Sequence, residues 1–306
     1  MGNNASKRVK DYEQGVAFAT LCYVMWGILP IYWKALDPIN PILIMFYRLA
    51  MSFVFVLIIA VIFYKPKEII APIREKGAIV SFIVSGILIS FNWGVYIWAV
   101  SNGHILQASM GYYINPLITV VFGVLFFREK LNAYKKAALL MAFAGVLVML
   151  IGYGKLPIVA LSLAFSFACY GLIKKKRKAN AILALLYETV FLTPFVLIAI
   201  SYMEIHRMGL LYNGTTIHFV LIALAGAVTA IPLLLFAAAA NRVDLTTIGF
   251  IQYVSPTISL LLGVFVYHET LDPVKIITFV FIWLALAIYI YSELRGKSEK
   301  EIEEFI

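Results

Sequence analysis

Two charged residues stand where charge is expensive. Arg48 and Glu188 lie inside long apolar stretches, within ILIMFYRLAM and ILALLYETVF respectively. An ionised side chain in hydrocarbon must find a counter-charge, a wet cavity or a route to the interface, so each marks a candidate site. Arg48 could be the counter-charge for an anionic group on a ligand; Glu188 could pair with an amine or carry a proton. The bland alternative lets Arg48 snorkel to the nearer interface and lets Glu188 pair with the basic run Lys174-Lys175-Lys176-Arg177-Lys178.

Polar residues surround these charges at helical spacing. Tyr112, Asn115 and Thr119 share one helix face, as do Gln252, Ser255 and Ser259. Ser81, Ser85, Asn92 and Tyr96 form a third stripe, and Ser162, Ser166 and Tyr170 a fourth. Such faces should look into a bundle or a cavity rather than at lipid. Single Ser and Thr residues are expected to bond neighbouring helices. For the amides of Asn92, Asn115 and Gln252, cavity lining and interhelical bonding are balanced. The candidate ligand-contacting set is therefore Arg48, Glu188, Asn92, Tyr96, Tyr112, Asn115, Gln252 and Ser255. Trp26, Trp93 and Tyr113 could stack on an apolar part of the same ligand.

Pro116 and Pro256 follow two of these stripes. Each removes a backbone donor and frees the carbonyl four residues earlier, on Tyr112 and Gln252, so each is a candidate hinge. Glu129 and Glu269 each close an apolar stretch and read as interface structure, followed by helix starts at Asn132 and Asp272-Pro273. His104, His206, His218 and His268 lie near stretch ends without a metal-binding spacing, and Cys22 and Cys169 form no C-x-x-C pair. No metal site, cofactor or catalytic constellation is expected.

The elements that must position these residues follow from composition. Apolar residues make up 63 % of the 306 and charged residues 13 %, against roughly 45–50 % and about 25 % in soluble domains. Ten apolar runs of about twenty residues can be marked, each long enough to cross a ~30 Å hydrocarbon core as a helix. They cover about 15–36, 41–64, 77–101, 107–127, 132–151, 156–173, 181–203, 217–239, 246–267 and 273–292. The expected fold is an all-α integral membrane protein of ten transmembrane helices. A net charge of +9 could suggest nucleic acid, but the cations are scattered along connections, and no nucleic-acid partner is expected. With the N-terminus placed in the cytoplasm, 20 of the 25 Lys and Arg residues fall on the inner side. That bias predicts two cytoplasmic termini.

The chain also repeats itself. YINPLITVVFGVLFFREKL from Tyr113 and YVSPTISLLLGVFVYHETL from Tyr253 are 140 residues apart and share seven of nineteen positions. At the same offset, residues 42–57 and 182–197 share six of sixteen. One offset held by two separate matches predicts a duplicated five-helix unit. Five is odd, so the second unit should be inverted relative to the first, around a central cavity, as in many secondary transporters. The expected division is a tail at 1–14, repeats at 15–151 and 152–292, and a tail at 293–306. Arg48 and Glu188 occupy equivalent repeat positions, each about 10 Å past its helix start at 1.5 Å per residue. Inversion puts those starts on opposite faces of a ~30 Å core, which leaves the two charges about 10 Å apart in depth. A direct salt bridge between them is not implied.

The stretches WGILPIYWK, NWGVYIWAVSNGHILQASMGYYINPL, LAFSFACYGLIKKK and FIQYVSPT resemble the EamA family of the drug/metabolite transporter superfamily, most closely its RarD-type branch, over nearly the whole chain. The resemblance implies ten helices, cytoplasmic termini, a cavity lined by helices 1–4 and 6–9, and peripheral helices 5 and 10. It also implies movement of small metabolites, often amino-acid-like and commonly outward, across the cell membrane. The expected function is a secondary transporter working by alternating access, with a small-molecule substrate, the lipid bilayer as surroundings and homodimer formation left open. A channel-like facilitator is the alternative, then a membrane-embedded enzyme. Neither a filter sequence nor a nucleophile motif supports them.

Overall fold

A computed structural model describes residues 2–37, 39–102, 104–268 and 272–305, with the side chains of 2–8, 100–101, 105–106 and 296–305 left undescribed. Glu269, one of the two stretch-closing acids, lies outside the described residues. In chain order the helices are α1 (Gly2–Lys34), α2 (Pro41–Phe63), α3 (Pro66–Arg74), α4 (Ala78–Ser101), α5 (Ile105–Phe127), α6 (Ala133–Tyr153) and α7 (Ile158–Arg177). They continue with α8 (Ala181–Val190), α9 (Thr193–Ile205), α10 (Leu210–Asn213), α11 (Thr216–Ala240), α12 (Leu245–Gln252), α13 (Val254–Phe265) and α14 (Pro273–Phe305). Among the described residues, nine helical segments are long and apolar enough to cross a membrane, with α12 and α13 forming one segment together. The pair α8–α9, bent by 51°, makes a tenth. The chain is a multi-pass, all-α membrane protein. Short α3 and α10 lie in the connections.

Local chemistry repeats along with the helices. Asn40 accepts from the amide of Ile42 (2.9 Å) at the start of α2, and Asn180, 140 residues on, accepts from Ile182 (3.0 Å) and Leu183 (3.2 Å) at the start of α8. Asn132 caps α6 through the Lys135 amide (2.8 Å), and its counterpart Asp272 caps α14 through Lys275 (2.9 Å). Each satisfies a donor that a helix start leaves open.

Packing obeys the same correspondence. Write the ten spans as α1, α2, α4, α5, α6 and then α7, α8–α9, α11, α12–α13, α14. α5 packs on α7, and the equivalent α12–α13 packs on α1. α1 packs on α11, as α7 does on α4; α2 packs on α11, as α8 does on α4. Like meets like in α2 with α8–α9, α5 with α12, and α6 with α14. The α6–α14 pair sits at the edge of the bundle. Close approach is secured at two equivalent glycines. A Cβ on Gly86 would stand 2.7 Å from the Glu188 carbonyl oxygen, and one on Gly226 would collide with the Met51 carbonyl. Both positions draw a helix of one half against a helix of the other, so only hydrogen fits.

The prolines behave unequally. α5 runs unbroken through Pro116, whereas the equivalent span is interrupted at Tyr253, three residues before Pro256. The seventh span breaks between Val190 and Thr193, with Pro194 the second residue of α9. A proline lacks the donor that would continue the ladder, and here the chain turns just ahead of it.

Candidate functional site

Arg48 lies seven residues into α2, about 10 Å below the face opposite the chain N-terminus at 1.5 Å per residue. Its guanidinium carbon stands over two indoles, 4.2 Å from the ring centre of Trp33 on α1 and 4.6 Å from that of Trp93 on α4. Nε reaches the Thr229 hydroxyl on α11 at 3.2 Å. Tyr32, Tyr96 and Tyr112 are close enough to interact with the charge. No described acidic side chain forms an ion pair with it. The rings of Tyr96 and Tyr112 meet edge-on at 5.9 Å. They remain 36 % and 48 % exposed although they face a charge inside the bundle. Tyr96 and Tyr112 thus present ring surface that no protein atom covers beside Arg48, and the region around the three is termed the vestibule.

Below the vestibule, aromatic side chains pack the bundle. Trp26, Tyr23, Phe167, Tyr170 and Phe236 form an aromatic plug, with Trp26 5.4 Å from Phe167 and Tyr170 stacked on Phe236 at 5.8 Å. Beneath it, the buried Lys174 and Glu188 pair at 2.6 Å, with the Tyr170 hydroxyl 3.4 Å from the other carboxylate oxygen. A small void flanks this pair, lined by Ser81, Ser85 and Asn241 among others. At the N-terminal face, Glu129 at the end of α5 accepts from the amides of Leu245 and Thr246 (both 2.8 Å) and from the Thr246 hydroxyl (2.7 Å). Lys175 stands 3.6 Å from Glu129 and donates to the Val243 carbonyl at 2.6 Å. A carboxylate at a helix N-terminus also faces the positive end of the helix dipole. Of seven described ion pairs, only Lys275–Asp272 lies towards the other face.

The candidate residues separate into groups. Arg48, Tyr96 and Tyr112 come together in the vestibule, joined by Trp93. Glu188 lies behind the aromatic plug, tied to the basic run, so the two intramembrane charges occupy different environments. Asn92 bridges α4 to α7 through the Leu163 carbonyl (2.7 Å) and Ser166 (2.9 Å). Asn115 accepts from Gln252 at 2.7 Å where α5 crosses α12, with Thr119 3.1 Å from the same oxygen. Asn115 and Gln252 are buried and satisfy each other, and all three amides act as interhelical bonds. The Ser255 carbonyl lies against Gly27 of α1. Trp26 belongs to the plug, and Tyr113 packs edge-on against Phe279 at 5.3 Å. Sequence reasoning missed Trp33, Thr229 and the reach of Glu129 into the other half. The only signal for the first was its place in WGILPIYWK.

The profile of the EamA-like transporter family matches the chain twice, at residues 13–151 and 155–291. Among curated proteins, the chain is 41 % identical over 294 residues to "Uncharacterized transporter YojE" of Bacillus subtilis (strain 168), covering 94 % of this chain and 97 % of that one. It is 42 % identical over 284 residues to "Protein RarD" of Escherichia coli (strain K12), covering 92 % and 95 %. A solved structure titled "Crystal structure of protein" superposes with a TM-score of 0.69 at 16 % identity, covering 90 % of this chain and 96 % of that one, a likeness of fold alone. Two family matches filling almost the whole length, on a ten-span bundle with a charged vestibule, make this chain a member of the EamA-like transporter family and a membrane transporter.

Proposed function

We propose that the chain is a secondary transporter of small organic metabolites, working outward across the cell membrane by alternating access, with both termini in the cytoplasm. The observation that carries this reading is the asymmetry of the bundle. Arg48, unpaired among the described residues, lies nearer one face beside the uncovered rings of Tyr96 and Tyr112, while an aromatic cluster and most described ion pairs lie towards the other; we take the first side as open and the second as closed. Among the described residues no ring of like charges lines a continuous path, which favours a carrier over a selective channel. The cytoplasmic bias of Lys and Arg supports orienting the closed face inward, which makes this an outward-open state. The matched packing of the two halves supports the exchange of roles that opens the other face. Five spans per half make that correspondence an inverted one. Arg48, Tyr96 and Tyr112 contact substrate in this reading, and Trp33 and Trp93 hold Arg48. Glu188 belongs to the closed inner half, where it is a candidate proton carrier once the pair with Lys174 opens.

Cells lacking or overproducing the protein test this directly, by comparison of metabolites inside and outside. Overproduction should raise the external level of a specific small set of compounds, and deletion should retain them. Purified protein in liposomes should show saturable flux accelerated by substrate on the far side. Flux that rises linearly without such exchange would establish a channel instead.

A further inference from the structure

We propose that the vestibule selects organic anions: molecules with one carboxylate on a flat apolar body, preferred over zwitterions and amines. This assignment of substrate class rests on the vestibule being the transport site.

The charge inventory carries it. Arg48 places a permanent cation in the wall, with Nε on Thr229 (3.2 Å) and no described carboxylate paired with it. Its guanidinium carbon lies over the Trp33 and Trp93 rings, 4.2 and 4.6 Å from their centres, so the cation is held by aromatic surface and not by a carboxylate. A guanidinium fork receives a carboxylate through two parallel hydrogen bonds. Among the described residues, no acid forms an ion pair with Arg48 and so offers a second charge for the amine of a zwitterion. Glu188 is paired with Lys174 below the plug (2.6 Å). Glu129 is committed to the start of α12 at the N-terminal face. Glu204, the described acid of α9, is taken up by the Tyr47 hydroxyl (2.7 Å) and the amides of Leu210 (2.7 Å) and Leu211 (3.1 Å). An ammonium group would therefore meet Arg48 as a like charge in a site where screening is weak. A lone guanidinium also balances a single negative charge better than a doubly charged phosphate. The apolar body follows from the rest of the wall, where Tyr96 and Tyr112 present ring surface beside the two indoles.

Four probes of nearly one shape separate charge from bulk: phenylacetate, phenylalanine, phenethylamine and 2-phenylethanol. Binding of each to the purified full-length protein is measured by equilibrium dialysis. Phenylacetate should bind at least about tenfold more tightly than the other three, since a charge-assisted bond is commonly worth that factor or more. The ranking on the unaltered protein stands without any variant. Arg48→Gln should then erase the preference and Arg48→Lys should keep part of it. Phenylalanine or phenethylamine matching phenylacetate, no binding of phenylacetate, or a preference that survives in a folded Arg48→Gln protein would each overturn the proposal. Liposome exchange assays separate the two levels. The expected ranking without transport of any solute would remove the transporter reading and leave the anion site. Specific export of amines or zwitterions with the ranking reversed would do the opposite.

Discussion

Thr246 donates to Glu129 twice, from its backbone amide at 2.8 Å and from its hydroxyl at 2.7 Å, both to the same carboxylate oxygen. The acid ends a helix of the first half and the threonine begins a helix of the second. A helix cap inside one element is local structure; a cap that crosses from one half to the other can hold a face of the bundle closed.

Glu129→Gln keeps the shape of that cap and removes its charge. The loss should be about 1–2 kcal/mol, from a charge-assisted bond and its interaction with the helix dipole. The purified protein should melt earlier. Cys22, now fully buried, should react faster with a maleimide as the N-terminal face opens more often. Unchanged melting and unchanged Cys22 reactivity would reduce Glu129 to an ornament of the interface.

Lys174 and Glu188 yield a prediction of a different kind, because both are buried. Removing either partner alone leaves an uncompensated charge, at a cost of about 3–5 kcal/mol, whereas replacing both with apolar residues is often neutral. Glu188→Gln and Lys174→Met should each destabilise the protein, and Lys174→Met combined with Glu188→Leu should recover most of the loss. If Glu188 also carries a proton during transport, the stable double variant should fold normally and still be inactive under a proton gradient. Full coupled transport by that variant would assign the pair a purely structural role.

These two acids show what the sequence could and could not disclose. The ten spans were legible because composition and run length alone require them. The caps at Asn132 and Asp272 were legible because a helix start is a local event. Asn40 and Asn180, or Gly86 and Gly226, stand at the same 140-residue offset and serve the same purpose in each half, yet only their contacts single them out. Glu129 looked ordinary because its donors lie 116 and 117 residues away. Glu188 and Arg48 hold equivalent positions yet lie in different environments, one paired with Lys174 and the other beside uncovered rings. No pattern in the chain states which conformation is populated. Asn115 and Gln252 were undecided for the related reason that an amide's partner depends on which helices cross there. The break at Tyr253 without a matching break near Tyr113 shows that equal prolines in equal positions need not bend equally.

Gly226 connects packing to the vestibule. It lets α11 rest on the Met51 carbonyl, and Thr229, one turn later, is the residue that meets Arg48. Gly226→Ala should force α11 away from α2, costing about 1–3 kcal/mol in stability as overpacking does. It should also weaken any Arg48-dependent binding, although it touches no ligand. Gly94→Ala is the control, since nothing lies within 4 Å of a Cβ there. Equal melting temperatures for the two alanine variants would contradict the close approach.

The indoles around Arg48 can be tested separately from the charge itself. Trp93→Leu removes one of the two rings, a contact worth about 0.5–2 kcal/mol, and leaves the guanidinium free to swing. Thr229→Val removes the single hydrogen bond to Nε, about 1 kcal/mol. Each variant should lower affinity for a carboxylate probe by several-fold, and the double variant should approach the loss seen with Arg48→Gln. Arg48 supplies the charge in all of them, so the shared defect would be orientation. Thr229 is buried, so Thr229→Val should also cost about 1 kcal/mol of stability for the lost bond. A Thr229→Val protein that binds phenylacetate as tightly as the unaltered one, with Trp93→Leu equally unaffected, would mean that the fork needs no holding. The arrangement of rings around it would then be packing alone.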